Sequence, residues 1–345
     1  MPIEFNIGGT PVTQPQQTVS GSQLPPTGTT PVDPTQTPSS DAVQTDNYES
    51  PTPQEYVSDT PSPNTSAAVD YGTSAVYSEE ESSDPQSINV NIADADSPLV
   101  ILFGPPACGK TMTLVRLTRF LSIQGFEVAP VRNFRPSYDR NYQDLCNNFN
   151  KLISSQDAAE STNKINFMLV QVLFNGKRIC QILEAPGELY FNRADPGAPF
   201  PNFINTILNR RNRKIWAIMV EPDWLEPSDR RNYVLKIHRL KSRMRAYDKS
   251  IIVFNKIDKT SFVMAPGRIH SGSAIKEVTD LYPGLLQPFR NLNPITRFWR
   301  SYNCLFVPFQ TGDYSVMLTG RQTFQEGPEE YPRILWNSIL KMLRG

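Results

Sequence analysis

The chain has 345 residues, with 34 Lys+Arg, 34 Asp+Glu and two His, for a formal charge of zero. The balance joins two unlike parts: residues 1–97 hold 14 Asp+Glu and no Lys or Arg, while residues 98–345 hold all 34 cations and the other 20 anions. No apolar run of about 18 residues occurs, which excludes a membrane-crossing helix, and four scattered cysteines without a CxxC pair argue against a zinc site or a disulfide framework.

Residues 1–97 contain 13 Pro, 27 Ser+Thr and a single Leu. Such a segment cannot bury enough apolar surface to offset the entropy of ordering it, so a disordered acidic tail is expected. Ile3, Phe5 and Ile7 form a short apolar island that would suit docking, or arise by chance in a variable terminus. Ile88, Val90 and Ile92 alternate like a strand, which fits either an added edge strand or linker. The first residues lack the basic start and apolar core of a signal peptide, so a reducing, cytoplasmic setting is expected. Opposite net charges on the two parts imply weak, salt-sensitive contact between tail and body.

The body, residues 98–345, is long enough for one large domain. It opens with the unbroken apolar run Leu99–Phe103, a buried strand. Leu114, Leu117 and Leu121 then mark a helix over Lys110–Ser122. A strand at Glu127–Val131 and a helix at Tyr142–Ser154 follow. Strands at Asn166–Phe174 and Ile179–Leu183 are joined by Asn175-Gly176, a hairpin turn. Next come a helix at Asn202–Asn209, a strand at Ile215–Val220, a helix at Asp229–Tyr247 and a strand at Ile251–Phe254. A helix at Ala274–Tyr282, a strand at Cys304–Val307 and a helix at Pro332–Leu343 complete the series. Strands alternating with helices predict an α/β fold of three layers, with a mostly parallel sheet and one antiparallel edge hairpin.

The segment from Gly104 to Thr111 reads GxxxxGK[ST], the phosphate-binding loop, between a buried strand and an amphipathic helix. The backbone of Gly104, Pro105, Pro106, Ala107, Cys108 and Gly109 would form a nest for phosphate oxygens, facing the positive end of the helix dipole. Lys110 would reach the β- and γ-phosphates, and the Thr111 hydroxyl would bind Mg²⁺.

Asn255-Lys256-Ile257-Asp258 directly follows a strand, 145 residues after Lys110. With this NKxD motif the sequence resembles the P-loop GTPases. The resemblance implies that Asp258 pairs with guanine's ring N–H and amino group, that Asn255 sits near the base oxygen and that the Lys256 stem packs on the purine face. Glu184-Ala185-Pro186-Gly187 stands where the family has DxxG, which implies a γ-phosphate contact from the Gly187 N–H and a metal role for Glu184. Thr162 takes the place of the switch threonine that ligates Mg²⁺, with Ser161 and Ser155 as competitors. Thr311, in the loop after the last strand, takes the place of the family's second base contact. The implied ligands are GTP, GDP and Mg²⁺.

Three departures from a small Ras-like domain stand out. The 51 residues from Thr111 to Thr162 are far longer than usual. Glu188 replaces the Gln that orients the attacking water, and its charge would repel a γ-phosphate. Pro106 and Ala107 stiffen the phosphate loop. The arrangement resembles divergent bacterial members of the translation-factor-related (TRAFAC) class, which implies a GTP-hydrolysing switch with a protein effector or regulator. A GTP-binding scaffold with little turnover is the alternative, ahead of a P-loop ATPase or kinase. Arg132, Arg135 and Arg140 are placed to serve as an arginine finger. Arg210, Arg211, Arg213, Lys214 and the Arg/Lys-rich helix after residue 229 suit an anionic partner or simply a solvated face.

Overall fold

In the structure, a computed structural model that describes residues 84–154, 167–222, 226–260, 263–316 and 322–344, the chain alternates strand and helix. The elements are, in order, β1 (Leu99–Phe103), α1 (Lys110–Ile123), β2 (Glu127–Pro130), α2 (Arg140–Ser154), β3 (Met168–Phe174), β4 (Lys177–Glu184), α3 (Gly187–Tyr190), α4 (Asn202–Asn209) and β5 (Lys214–Val220). Then come α5 (Pro227–Arg243), β6 (Lys249–Phe254), β7 (Val263–Ala265), β8 (Arg268–Ile269), α6 (Ser271–Leu281), β9 (Leu305–Pro308), β10 (Gly312–Val316), β11 (Gln322–Glu326) and α7 (Glu330–Arg344).

Five apolar residues without a polar face suit only a strand covered on both sides, and β1 is buried at every position. It lies inside a seven-stranded sheet of order β2-β3-β4-β1-β5-β6-β9. Its neighbours β4 and β5 run parallel to it, as do β6 and β9 further out. Only β3 runs against the rest, since it pairs antiparallel with both β2 and β4. Asn175 and Gly176, at φ 49° and 73°, close the β3–β4 hairpin in the left-handed geometry that matches strand twist. β2 lies outside that hairpin and forms the sheet's edge.

The expected elements reappear with ends shifted by a few residues. The two small hairpins, β7–β8 and β10–β11, were not legible, because such short, mixed segments have no period to detect. Phe324 of β11 packs on Met112 of α1, apart from the main core. Thr162, Ser161, Ser155 and residues 1–83 lie outside the described residues.

The core takes in residues upstream of residue 98. Ile88, Val90 and Ile92 are all buried against it, and the Asn91 N–H donates to the Phe134 carbonyl at 2.7 Å. The alternation therefore reports burial on one side of an extended segment that joins no strand ladder. Ile92→Ala should lower the unfolding free energy by about 2–5 kcal/mol in urea titration, the cost of a core cavity. A change near zero would place this segment outside the cooperative core.

Candidate functional site

Five parallel strands, β4, β1, β5, β6 and β9, run to one rim of the sheet, and the described candidates for phosphate, metal and base contacts lie at or after such strand ends. Ligands of open α/β sheets sit at this rim. After β1 the chain curls through Gly104, where a Cβ would lie 2.5 Å from Cys108 Sγ and 2.9 Å from Met219 Cβ. Ala107 (φ 59°) and Gly109 (φ 87°) are both left-handed, the alternation that makes a backbone nest. Gly109 caps α1 without a side-chain hydrogen bond, so the first helical amides are left to an anion. Lys110 is buried and its Nζ donates to the Pro105 carbonyl across the loop at 2.9 Å.

Next to this loop stands Glu184, the last residue of β4, in register with Leu102 of β1. The Thr111 hydroxyl donates to Glu184 Oε1 at 3.0 Å. The other carboxylate oxygen, Oε2, is buried with no hydrogen-bond partner. Burial pushes the Glu184 carboxyl up to about 7, and Glu188 adds to that, while Lys110 and the Thr111 hydroxyl pull it down. One hydroxyl and one carboxylate with an unsatisfied oxygen fit Mg²⁺, a hard cation that keeps most of its waters and needs few protein ligands. Among the described residues no group of three or more His, Cys, Asp or Glu suits any metal.

Gly187 opens α3 hard against the 104–109 loop. A Cβ there would lie 2.1 Å from the Pro106 nitrogen and 2.3 Å from the Pro105 carbonyl carbon, so only glycine fits. Glu188, beside it, is exposed.

The NKxD segment meets the loop from the other side. Asn255 is buried, and its Nδ2 donates to the Cys108 carbonyl at 2.9 Å. Its Oδ1 is buried without a hydrogen-bond partner. Lys256 is left-handed (φ 53°) and its Nζ pairs with Glu221 Oε2 at 2.6 Å. Asp258 is exposed in the turn Ile257–Lys259. Phe309 ties the neighbouring loop in: its N–H donates to the Phe254 carbonyl at 2.7 Å, and the Ile257 N–H donates to its carbonyl at 3.3 Å. Two residues on, the Thr311 carbonyl accepts from Arg116 Nη1 at 2.6 Å.

Two contributors went unnoticed in the sequence. Arg116, in the middle of α1, is buried and also bonds the carbonyls of Gly327 and Pro328, fastening the 310–311 loop to the helix. Its signal was an arginine set between Val115 and Leu117 in a largely apolar helix. Glu221 follows the fully buried β5 and holds Lys256, while Tyr282 Oη donates to its carbonyl at 2.7 Å. A carboxylate at the end of an apolar strand was the available cue.

Two members of the basic cluster are internal, and others are tied to backbone carbonyls. Lys214 is buried and donates to the carbonyls of Arg210 and Asn212, and Lys236 is buried with its ammonium on the Ala198 carbonyl and over the Phe200 ring. Arg213, Arg239 and Arg245 donate to the carbonyls of Leu343, Gly197 and Asn209. Arg135 is structural as well: it is buried, paired with Asp139 at 2.9 Å and donates to the Asn89 carbonyl at 2.6 Å. That removes it as an arginine finger.

In metal-free protein, Glu184 holds its proton to about pH 7, whereas the unfolded carboxyl releases it near 4.5. Its contribution to stability is therefore full below the unfolded value and lost as pH rises through about 7. With EDTA present, Glu184→Gln should flatten the fall in urea midpoint over that window; an unchanged slope would contradict the burial. Gly187→Ala should displace the 105–106 backbone and cost about 2 kcal/mol or more by urea unfolding.

No family model matches the sequence, and no curated protein matches it. Solved structures similar to this chain include a putative nucleolar GTP-binding protein 1 from Plasmodium falciparum, at 16% identity and TM-score 0.35, covering 75% of this chain and 90% of that one. A GTPase in apo form from Pyrococcus abyssi matches at 14% identity and TM-score 0.35, over 71% of this chain and 97% of its own. The S. cerevisiae Ski7 GTPase-like domain, bound to GDP and inorganic phosphate, matches at 13% identity and TM-score 0.35 over 72% of this chain, which spans half of that structure.

Proposed function

We propose that this chain binds guanine nucleotide and, with Mg²⁺, hydrolyses GTP to GDP as a molecular switch. It would be a divergent, bacterial-type relative of the translation-factor-related P-loop GTPases, working in the cytoplasm with a protein effector or regulator. The observation that carries this reading is the Asn255–Cys108 hydrogen bond, which fastens an NKxD segment to a GxxxxGK[ST] loop at one rim of the sheet. Neither motif alone says as much as their junction.

The roles follow from chemistry. Amides around Gly104–Gly109 and the start of α1 take the phosphates, and Lys110 exchanges the Pro105 carbonyl for phosphate oxygen. Thr111 and Glu184 are the residues that would hold Mg²⁺, which supplies charge neutralisation on the phosphate oxygens. The Gly187 N–H stands beside the loop for the γ-phosphate. Asp258 provides an exposed carboxylate for the two adjacent guanine donors, a pair adenine lacks. Lys256, held at its head by Glu221, lays its stem along the base, and Thr311 closes the other side.

Glu188 supports a second reading, a GTP-binding scaffold with little turnover. An exposed carboxylate at the position of a water-orienting group repels the γ-phosphate and orients water poorly. Single-turnover phosphate release separates the two: release at the background rate favours the scaffold.

Isothermal titration should show GTP and GDP binding at least about tenfold tighter than ATP. Asp258→Ala should remove that preference while leaving triphosphate binding, and Lys110→Ala should abolish triphosphate binding. Equal affinity for GTP and ATP in the parent chain would overturn the guanine assignment.

A further inference from the structure

The chain between α6 and β9 presents four large apolar side chains to solvent. Leu292 is 85% exposed, Ile295 69%, Phe298 78% and Trp299 82%. This display is built, not frayed. Arg290 bridges to Tyr302, and the Asn291 N–H donates to the Ser301 carbonyl at 2.9 Å. Asn293 Oδ1 accepts from the N–H groups of Ile295 and Thr296, while Asn291 Nδ2 donates to the Arg300 carbonyl at 2.8 Å.

The loop itself carries charge of one sign. No Asp or Glu occurs between Asp280 and Asp313, while Arg290, Arg297 and Arg300 fall in the loop. The end of α5 adds to them: Lys241 lies 5.7 Å from the Phe289 ring centroid, and Lys241 and Arg300 both act on the Cys304 thiol. Lys249, at the start of β6, acts on Lys241 in turn. The nearby carboxylate, Asp248, is buried and turned to Lys214 and the Arg245 N–H. Because β9 runs parallel to β1, a loop that feeds its first residue lies at the rim opposite the phosphate loop.

Four protruding side chains are a small knob against the roughly 800 Å² per partner of a stable protein complex. A second copy would bring like charge to like. Aliphatic Leu292 and Ile295 give nucleic-acid bases nothing to stack on, whereas a bilayer boundary takes Leu, Ile, Phe and Trp together and needs no matching shape. Arginines beside them meet anionic headgroups. No helix among the described residues is long and apolar enough to cross a membrane, so attachment here is peripheral.

We propose that the Arg290–Tyr302 loop docks this protein on an anionic lipid surface. Leu292, Ile295, Phe298 and Trp299 enter the boundary between headgroups and acyl chains, and Arg290, Arg297, Arg300, Lys241 and Lys249 meet the lipid anions. The site is separate from the proposed nucleotide pocket, so its failure or success leaves that reading unaffected.

The test is sedimentation of the full chain with phosphatidylcholine vesicles, with and without about 30% phosphatidylserine. The anionic vesicles should bind at least about tenfold more protein, and added salt should weaken the binding. The double variant F298S/W299S should lose about tenfold in partitioning with its melting temperature unchanged, since both side chains are exposed. The double variant R297Q/R300Q should lose the preference for anionic over neutral vesicles. Brominated acyl chains should quench tryptophan fluorescence in W224F and far less in W224F/W299F, because the two remaining tryptophans, Trp216 and Trp336, are buried. Absence of binding to anionic vesicles, or binding indifferent to the loop variants, would overturn the proposal. So would loop-dependent retention of single-stranded RNA without vesicle binding, which would make the loop a nucleic-acid contact.

Discussion

The meeting of Asn255 with the 104–109 loop is the constraint on which the candidate site depends. Gly109 can have no side chain because a Cβ would lie 2.3 Å from Asn255 Nδ2. The same approach lets that amide cap the Cys108 carbonyl. Two loops separated by well over a hundred residues are thereby locked at contact distance, and each further piece is fastened to one of them. Gly187 touches the Pro105–Pro106 backbone, Glu184 takes the Thr111 hydroxyl, and Phe309 bonds both ends of the 254–257 turn. At Gly187 the packing is backbone to backbone, and there a methyl group is already too large.

The fold was legible where periodicity and punctuation were strong. The run at Leu99–Phe103, the Asn175-Gly176 turn and the leucine spacing of α1 each carried a local preference that agreed with the final architecture. The site was legible in so far as it depends on consecutive residues: a loop and a tetrapeptide declare themselves by spacing. What stayed hidden was what depends on distance in space. Arg116 reaches Thr311 across 195 positions, and nothing local to either residue announces the contact. The alternation of Ile88, Val90 and Ile92 left strand and linker equally open, because an extended segment buried on one side has the same period as a ladder strand.

Charge was the least transferable clue. A sequence shows cations as a surplus; the fold shows where they are spent. Lys214, Lys236 and Arg135 are buried in hydrogen bonds that hold loops in place. A buried ammonium must satisfy its donors, and backbone carbonyls at loop ends are the nearest acceptors. One stretch without a carboxylate, 281–312, carries only three arginines.

The outer strands of the sheet carry a final consequence. β2 and β9 are each four residues long, and each ends in proline, at Pro130 and Pro308. Proline offers no N–H to a pairing strand, and short edges give an incoming chain little to template on. Both open sides of the sheet are thus blunted against lateral growth. Recruitment of a protein to this sheet by strand addition is disfavoured, and the same blunting guards a strongly apolar sheet from stacking edge to edge into aggregates.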